Sequence, residues 1–213
     1  MYKIEDFFTS HNELLTCKSS IIAAKDALVF AFKNGNKLLL CGNGGSACDA
    51  EHIAGELMKG FLHQRPLSEE QKHSLISAGD NGYIANKLQN GLPCIVLSGL
   101  LGASTAFAND VDPILCYAQQ AFVYAEKGDI LLAISTSGNA ENVYHAAVAA
   151  KAKGAKIISL TGKDGGRLKY ISDIAILAPE TETWKVQELH IAIYHALCAS
   201  IEEEIFGHGT VWN

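Results

Sequence analysis

The sequence predicts a three-layer α/β fold: a doubly wound, five-stranded parallel sheet with extra N-terminal helix or helices and a long C-terminal helix. Three observations predict it. Five strongly apolar runs of five or six residues alternate with helix-like stretches, the pattern of parallel strands buried on both faces. Two of those runs lead into glycine- or hydroxyl-rich loops that open helices, as loops at the carboxyl edge of such a sheet do. At 213 residues the chain is long enough for one sizeable core, whereas two independent domains would each be small.

The elements follow in order. Ile4 to Asn34 reads as helical, with a break near Thr16 to Lys18 and a buried face over Ile21 to Phe32. The apolar runs are Lys37 to Cys41, Cys94 to Ser98, Ile130 to Ser135, Lys156 to Leu160 and Asp173 to Leu177. Between the first two, residues 64–93 shift to Ser, Glu, Lys, His, Gly and Asn. That composition predicts a surface insertion of one or two short helices, with turns at Gly79-Asp80-Asn81-Gly82 and Asn90-Gly91. A helix from Glu141 to Ala152 follows the third run, and Thr183 to Phe206 forms the last helix, carrying Val186, Leu189, Ile193, Leu197 and Ile201 at helical spacing. Both terminal helices are candidates for subunit packing, and the tail from Gly207 to Asn213 is expected to fray. Residues 1–213 are read as one domain, 1–34 being its N-terminal helical segment.

Composition excludes several function classes. Hydrophobic residues make up 48% and charged residues 19%, which separates the chain from disordered sequences. A net charge of −6 argues against a nucleic-acid surface, which needs clustered Lys and Arg. The six cysteines are scattered without a CxxC pair and mostly lie in apolar runs, as buried reduced thiols of a cytoplasmic protein would. The acidic N-terminus does not read as a signal peptide. Gly91 to Ala108 is uncharged, but Pro93, its glycines and its hydroxyls suit a strand, a loop and a helix start better than a membrane span.

Four clusters carry chemistry. Cys41-Gly42-Asn43-Gly44-Gly45-Ser46-Ala47 matches the dinucleotide pattern GxGxxG/A in form, yet the next apolar run ends Val96-Leu97-Ser98-Gly99 without the acidic residue a ribose needs. Ser135-Thr136-Ser137-Gly138-Asn139 offers hydroxyls, a permissive glycine and the N–H groups of a helix start, a site for a phosphate dianion or a capped turn. The absence of Gly-Lys-Ser/Thr excludes a P-loop. His52 and Glu56, at i and i+4, share a helix face and can converge on one metal ion or one substrate edge. Gln187, His190 and His195 lie on the last helix, where a histidine is as readily a packed residue as a ligand.

In order, Cys41 to Ser46, His52 with Glu56, Asn109-Asp110, Ser135 to Asn139, Thr161-Gly162-Lys163-Asp164-Gly165-Gly166, and Gln187-Glu188-x-His190 with His195 resemble the phosphoheptose isomerases of the sugar-isomerase (SIS) domain superfamily. The resemblance implies a flavodoxin-like SIS fold, conversion of sedoheptulose 7-phosphate to D-glycero-D-manno-heptose 7-phosphate, a homotetramer with active sites at subunit interfaces, and one zinc ion per subunit. It assigns the metal to His52, Glu56, Gln187 and His195, with Glu56 as base and His195 as acid. It assigns the substrate to Asn43, Gly44, Gly45, Ser46, Glu56, Asn109, Asp110, Ser135, Thr136, Ser137 and Gln187. Gln187 and His195 are eight residues apart, about 12 Å along a helix, so one of them contacts substrate or the ligands come from more than one chain.

The chain departs from the family pattern in three places. Ala140 stands where a further phosphate-binding serine is expected, which removes a hydrogen bond worth about 1.5–3 kcal/mol. Trp184 stands where a small acidic residue is expected, and the 64–93 segment is longer than usual. The same superfamily contains tetrameric adaptors that bind the bacterial replication initiator and lose the catalytic pair; the presence of Glu56 and His195 favours the enzyme. Isomerases of other sugar phosphates on this scaffold are the remaining alternative.

Overall fold

The structure, a computed structural model, describes residues 2–207; the expected fraying beyond Gly207 concerns residues outside the described ones. The five apolar runs form the strands β1 (Leu38–Cys41), β2 (Cys94–Val96), β3 (Ile130–Ser135), β4 (Lys156–Thr161) and β5 (Ile174–Leu177). All pairings are parallel, in the order β2-β1-β3-β4-β5. β3 keeps the bounds of its run, and the other four are trimmed or extended by one or two residues. Asp173 precedes β5 because its carboxylate accepts the Ile157 N–H at 2.7 Å, and β2 stops where Leu97–Gly99 winds into a 3₁₀ turn.

Alternation along the central strand assigns the two faces. Ile130, Leu132 and Ile134 belong to the layer built with α1 (Ile4–Ser10), α2 (Lys18–Lys33), α3 (Gly45–Met58) and α9 (Thr183–Phe206). Leu131 and Ala133 belong to the layer built with α6 (Cys116–Tyr124), α7 (Glu141–Ala152) and α8 (Leu168–Ile171). Adjacent strands β1 and β3 therefore send their following helices, α3 and α7, to opposite faces. That divergence opens the crevice at which doubly wound sheets bind ligands.

The N-terminal segment breaks earlier than expected. His11 ends α1, its ring Nδ1 3.1 Å from the Phe7 carbonyl, and Asn12–Cys17 is a 3₁₀ segment before α2. The insertion contains one helix, α4 (Glu69–Ser77), started by a capping box between Ser68 and Gln71 and burying no residue. Its base is closed by a bridge between Pro66 and Gln89 and tied to the core by the buried Arg65, 2.7 Å from Glu202 on α9. Gly91 to Ala108 resolves into β2, the 3₁₀ turn and part of α5 (Leu101–Asp110), and among the described residues no helix is long and apolar enough to cross a membrane. All six cysteines are free thiols; Cys48 is exposed, against expectation, and Cys94 is partly exposed.

Candidate functional site

Two helix starts meet at the crevice without side-chain caps. Gly44, at φ 55° and ψ −124°, turns the chain into α3, and Ala140 precedes α7; neither helix has a side-chain cap bond. The Ser46 N–H donates to the Asn43 carbonyl and the Val143 N–H to Asn142 Oδ1, each at 3.0 Å, which leaves the N–H groups of Gly45, Glu141 and Asn142 for an anion. Asn43 and Asn142 lock the two starts together with reciprocal amide bonds of 2.8 and 2.9 Å. Behind them the 162–167 loop braces the Ser135–Asn139 loop. The Gly162 N–H donates to the Thr136 carbonyl at 2.9 Å, the Leu168 N–H to Gly138 at 3.0 Å and the Arg167 N–H to Asn139 Oδ1 at 3.1 Å. Gly138 has φ +66°, and a Cβ there would overlap the Gly165 carbonyl, so the brace needs glycine on both sides. The Ser137 hydroxyl accepts the Asn139 N–H at 3.2 Å, so one of the three hydroxyls already supports the turn.

A second cluster forms where α3 and α9 lie side by side, running the same way. Gln187 packs on Gly45, and seven residues further along both helices Tyr194 bonds His52, with 2.9 Å between its hydroxyl and Nδ1. His52 Nε2 lies 3.4 Å from Glu56 Oε1, and Lys59 Nζ lies 3.1 Å from Glu56 Oε2. The His195 ring sits edge-on to His52 with centroids 5.0 Å apart, and Phe61 stacks beside it at 5.8 Å. Burial, then the neighbouring His52, pushes the His195 imidazole below its ordinary value, with Glu56 opposing. Asp49, buried on α3, has its carboxyl raised by burial, an effect that the Tyr194 hydroxyl and His52 oppose.

The single chain brings together His52, Glu56 and His195, and separately Asn43, Gly44, Gly45, Ser46, Ser135, Thr136, Ser137 and Gln187 around the crevice. Gln187 stands about 10 Å from His52 along the paired helices. Asn109 and Asp110 end α5, hydrogen-bonded to each other at 2.8 Å and exposed. Among the described residues no three His, Cys, Asp or Glu side chains of one chain come into metal-holding range. His190 belongs to neither cluster: it is wholly buried, and neither ring nitrogen has a hydrogen-bond partner. Sequence reasoning missed Asp49, Tyr194 and Asn142. Asp49 was within reach, because it lies one helical turn before His52 and shares its face; the other two needed the packing.

Comparison with known proteins agrees with this geometry. The SIS domain family matches residues 10–89 and 73–162, two stretches that overlap inside the insertion. The chain is 43% identical over 183 residues to the phosphoheptose isomerase of Nitratiruptor sp., covering 86% of this chain and 85% of that one. It is 37% identical over 210 residues to the phosphoheptose isomerase of Helicobacter hepaticus, covering 97% and 95%. Among solved structures, the phosphoheptose isomerase of Neisseria gonorrhoeae superposes with a TM-score of 0.70 at 28% identity, over 94% of this chain and 100% of that one. That of Francisella tularensis gives 0.72 at 28%, over 95% and 100%.

Proposed function

The chain belongs to the phosphoheptose isomerase family of SIS-domain proteins, aldose–ketose isomerases, and from that premise we propose that it interconverts sedoheptulose 7-phosphate and D-glycero-D-manno-heptose 7-phosphate. The observation that carries the reading is the pairing of the two helix starts of α3 and α7 with a carboxylate–imidazole cluster further along α3, completed by α9. The first suits a phosphate dianion, and the second suits proton transfer between neighbouring carbons.

In this reading the phosphate rests on Ser135, Thr136 and Ser137 and the free N–H groups of α7, and Asn43, Gly44, Gly45 and Ser46 border the sugar. Glu56 takes the proton from C1 of the ketose while His195 protonates the C2 oxygen, which leaves an enediol. His195 then recovers a proton from the C1 oxygen, and Glu56 returns its proton to C2. Burial keeps His195 neutral at physiological pH, so that it can both give and accept a proton. Asn109, Asp110 and Gln187 hold hydroxyls.

His52, Glu56 and His195 suit zinc in kind, two imidazoles and a carboxylate, and Tyr194 engages His52 Nδ1 as an orienting partner engages a ligating histidine. Gln187, about 10 Å from His52 in the same chain, would complete the set only from another subunit. When bound, zinc supplies several kcal/mol of polarisation at the carbonyl oxygen. We place the protein in the cytoplasm as a homotetramer whose active sites, each with one zinc, lie between subunits. Such a site unites Asp110 and the cluster on α3, which one chain keeps apart.

A coupled assay over heptose, hexose and pentose phosphates tests the reading. Turnover confined to the heptose phosphate is expected; no turnover of it overturns the assignment. His52→Ala and Glu56→Gln are each expected to lose bound zinc, measured by metal analysis, and stoichiometric zinc in both variants sinks the ligand set.

A further inference from the structure

We propose that Asn142 is a positioning residue: its side-chain amide, fixed by the first turn of α7, holds the Asn43 amide in one orientation and leaves it a donor and an acceptor for a sugar hydroxyl. Three hydrogen bonds carry it. Asn142 Oδ1 accepts the Val143 N–H at 3.0 Å and Asn43 Nδ2 at 2.8 Å, and Asn142 Nδ2 donates to Asn43 Oδ1 at 2.9 Å. A backbone N–H can only donate, so it meets the amide oxygen and not the amide nitrogen. That bond settles which way the Asn142 amide faces, and Asn142 in turn settles Asn43. Turning the Asn43 amide over would set nitrogen against nitrogen and oxygen against oxygen.

A primary amide has two N–H donors and an oxygen with two lone pairs. The clasp uses one of each on Asn43, whose side chain has no other partner among the described residues. What remains is one N–H and one lone pair, the complement of a hydroxyl, which gives one proton and accepts another. Asn43 is exposed in the glycine loop, so without Asn142 its side chain would order only when substrate arrives, at a cost to binding. Asn142 also offers its own backbone N–H to the phosphate site, because α7 has no side-chain cap. One residue thus ties the phosphate end of the substrate to the end that Asn43 borders.

The inference rests on the proposed isomerase reading for its kinetic arm alone. With sedoheptulose 7-phosphate, Asn142→Ala, which keeps the backbone N–H, should raise KM up to about tenfold and leave kcat within about twofold, the effect of ordering one more side chain on binding. Asn43→Ala should lower kcat/KM at least as much, and adding Asn142→Ala to it should cost nothing further, because the second residue acts through the first. Damage to α7 alone would instead shrink the active fraction, lowering kcat at unchanged KM, and would add to the Asn43→Ala loss. In full-length protein with labelled asparagine, the Asn43 side-chain amide is identified by its disappearance in Asn43→Ala. Its protons should exchange slowly in the unmodified protein and at the rate of a free amide in Asn142→Ala. Additive losses in kcat/KM, or unchanged exchange in Asn142→Ala, overturn the clasp. Because exchange needs no substrate, it decides the clasp even if the isomerase assignment fails.

Discussion

His190 sits five residues before the proposed acid on the same helix, and its chemistry is the opposite. Burial lowers its pKa from 6.5 to about 4, and the nearby Thr161 backbone offsets only part of this without forming a full hydrogen bond. The folded state therefore holds it neutral, whereas the unfolded chain takes up a proton as pH falls through 6.5. Its contribution is whole above that value and is lost progressively toward pH 4, up to about 3 kcal/mol. Denaturant midpoints measured across that range should fall steeply for the protein and less steeply for His190→Leu. At the phosphate loop, Gly138→Ala places a methyl against the Gly165 carbonyl at a positive φ. A loss of about 1–3 kcal/mol follows, with KM rising more than kcat falls, because the brace and not the proton relay is disturbed. The approach of His52 to Glu56 and the position of the Ser135–Asn139 loop ahead of a helix were legible in sequence because both rest on local spacing. Tyr194 was not, since a tyrosine at helical spacing among apolar residues reads as core, which it also is.

Among the elements, the insertion depends on a contact that no local pattern announces. Arg65 and Glu202 are 137 residues apart, and both side chains are fully enclosed. The Glu202 carboxylate also accepts the N–H groups of Phe61, Leu62 and His63, while Arg65 donates to the Leu57 carbonyl and stacks on Phe206 at 4.6 Å. Removing the two partners should therefore cost unequal amounts. Glu202→Leu strands a buried cation and three amides and should cost at least about 3–5 kcal/mol; Arg65→Met leaves the carboxylate three donors and should cost less. Equal losses in equilibrium unfolding would show that the backbone bonds contribute nothing. The strands and the helices over Glu141–Ala152 and Thr183–Phe206 were legible from apolar runs and 3.6-residue spacing. The break at His11 was not, because a 3₁₀ segment and an α-helix present similar apolar spacing over six residues. Nor was the anchoring of the insertion, whose local signals were its composition and its turns.

For the whole molecule, the arrangement of one chain is the argument for several. Leu101, Val111, Phe122 and Val123, on or beside α5 and α6, are between 53% and 74% exposed, and Val111 and Val123 line one pocket. Asp110 lies among them, at the far end of α5 from the sheet edge, whereas Glu56 lies on α3. If both serve one substrate in a symmetric tetramer, each site takes Asp110 from one subunit and Glu56 from another, and two inactive variants can repair each other. Asp110→Asn and Glu56→Gln, inactive alone, should regain activity when coexpressed, because random mixing leaves about a quarter of the sites with both residues intact. The measurement is specific activity of the mixed tetramers against the unmodified protein, with the two variants tagged differently so that mixing is verified. Verified mixing without recovered turnover would mean that every site draws both residues from one chain, and α5 would then have to swing toward α3 when substrate binds.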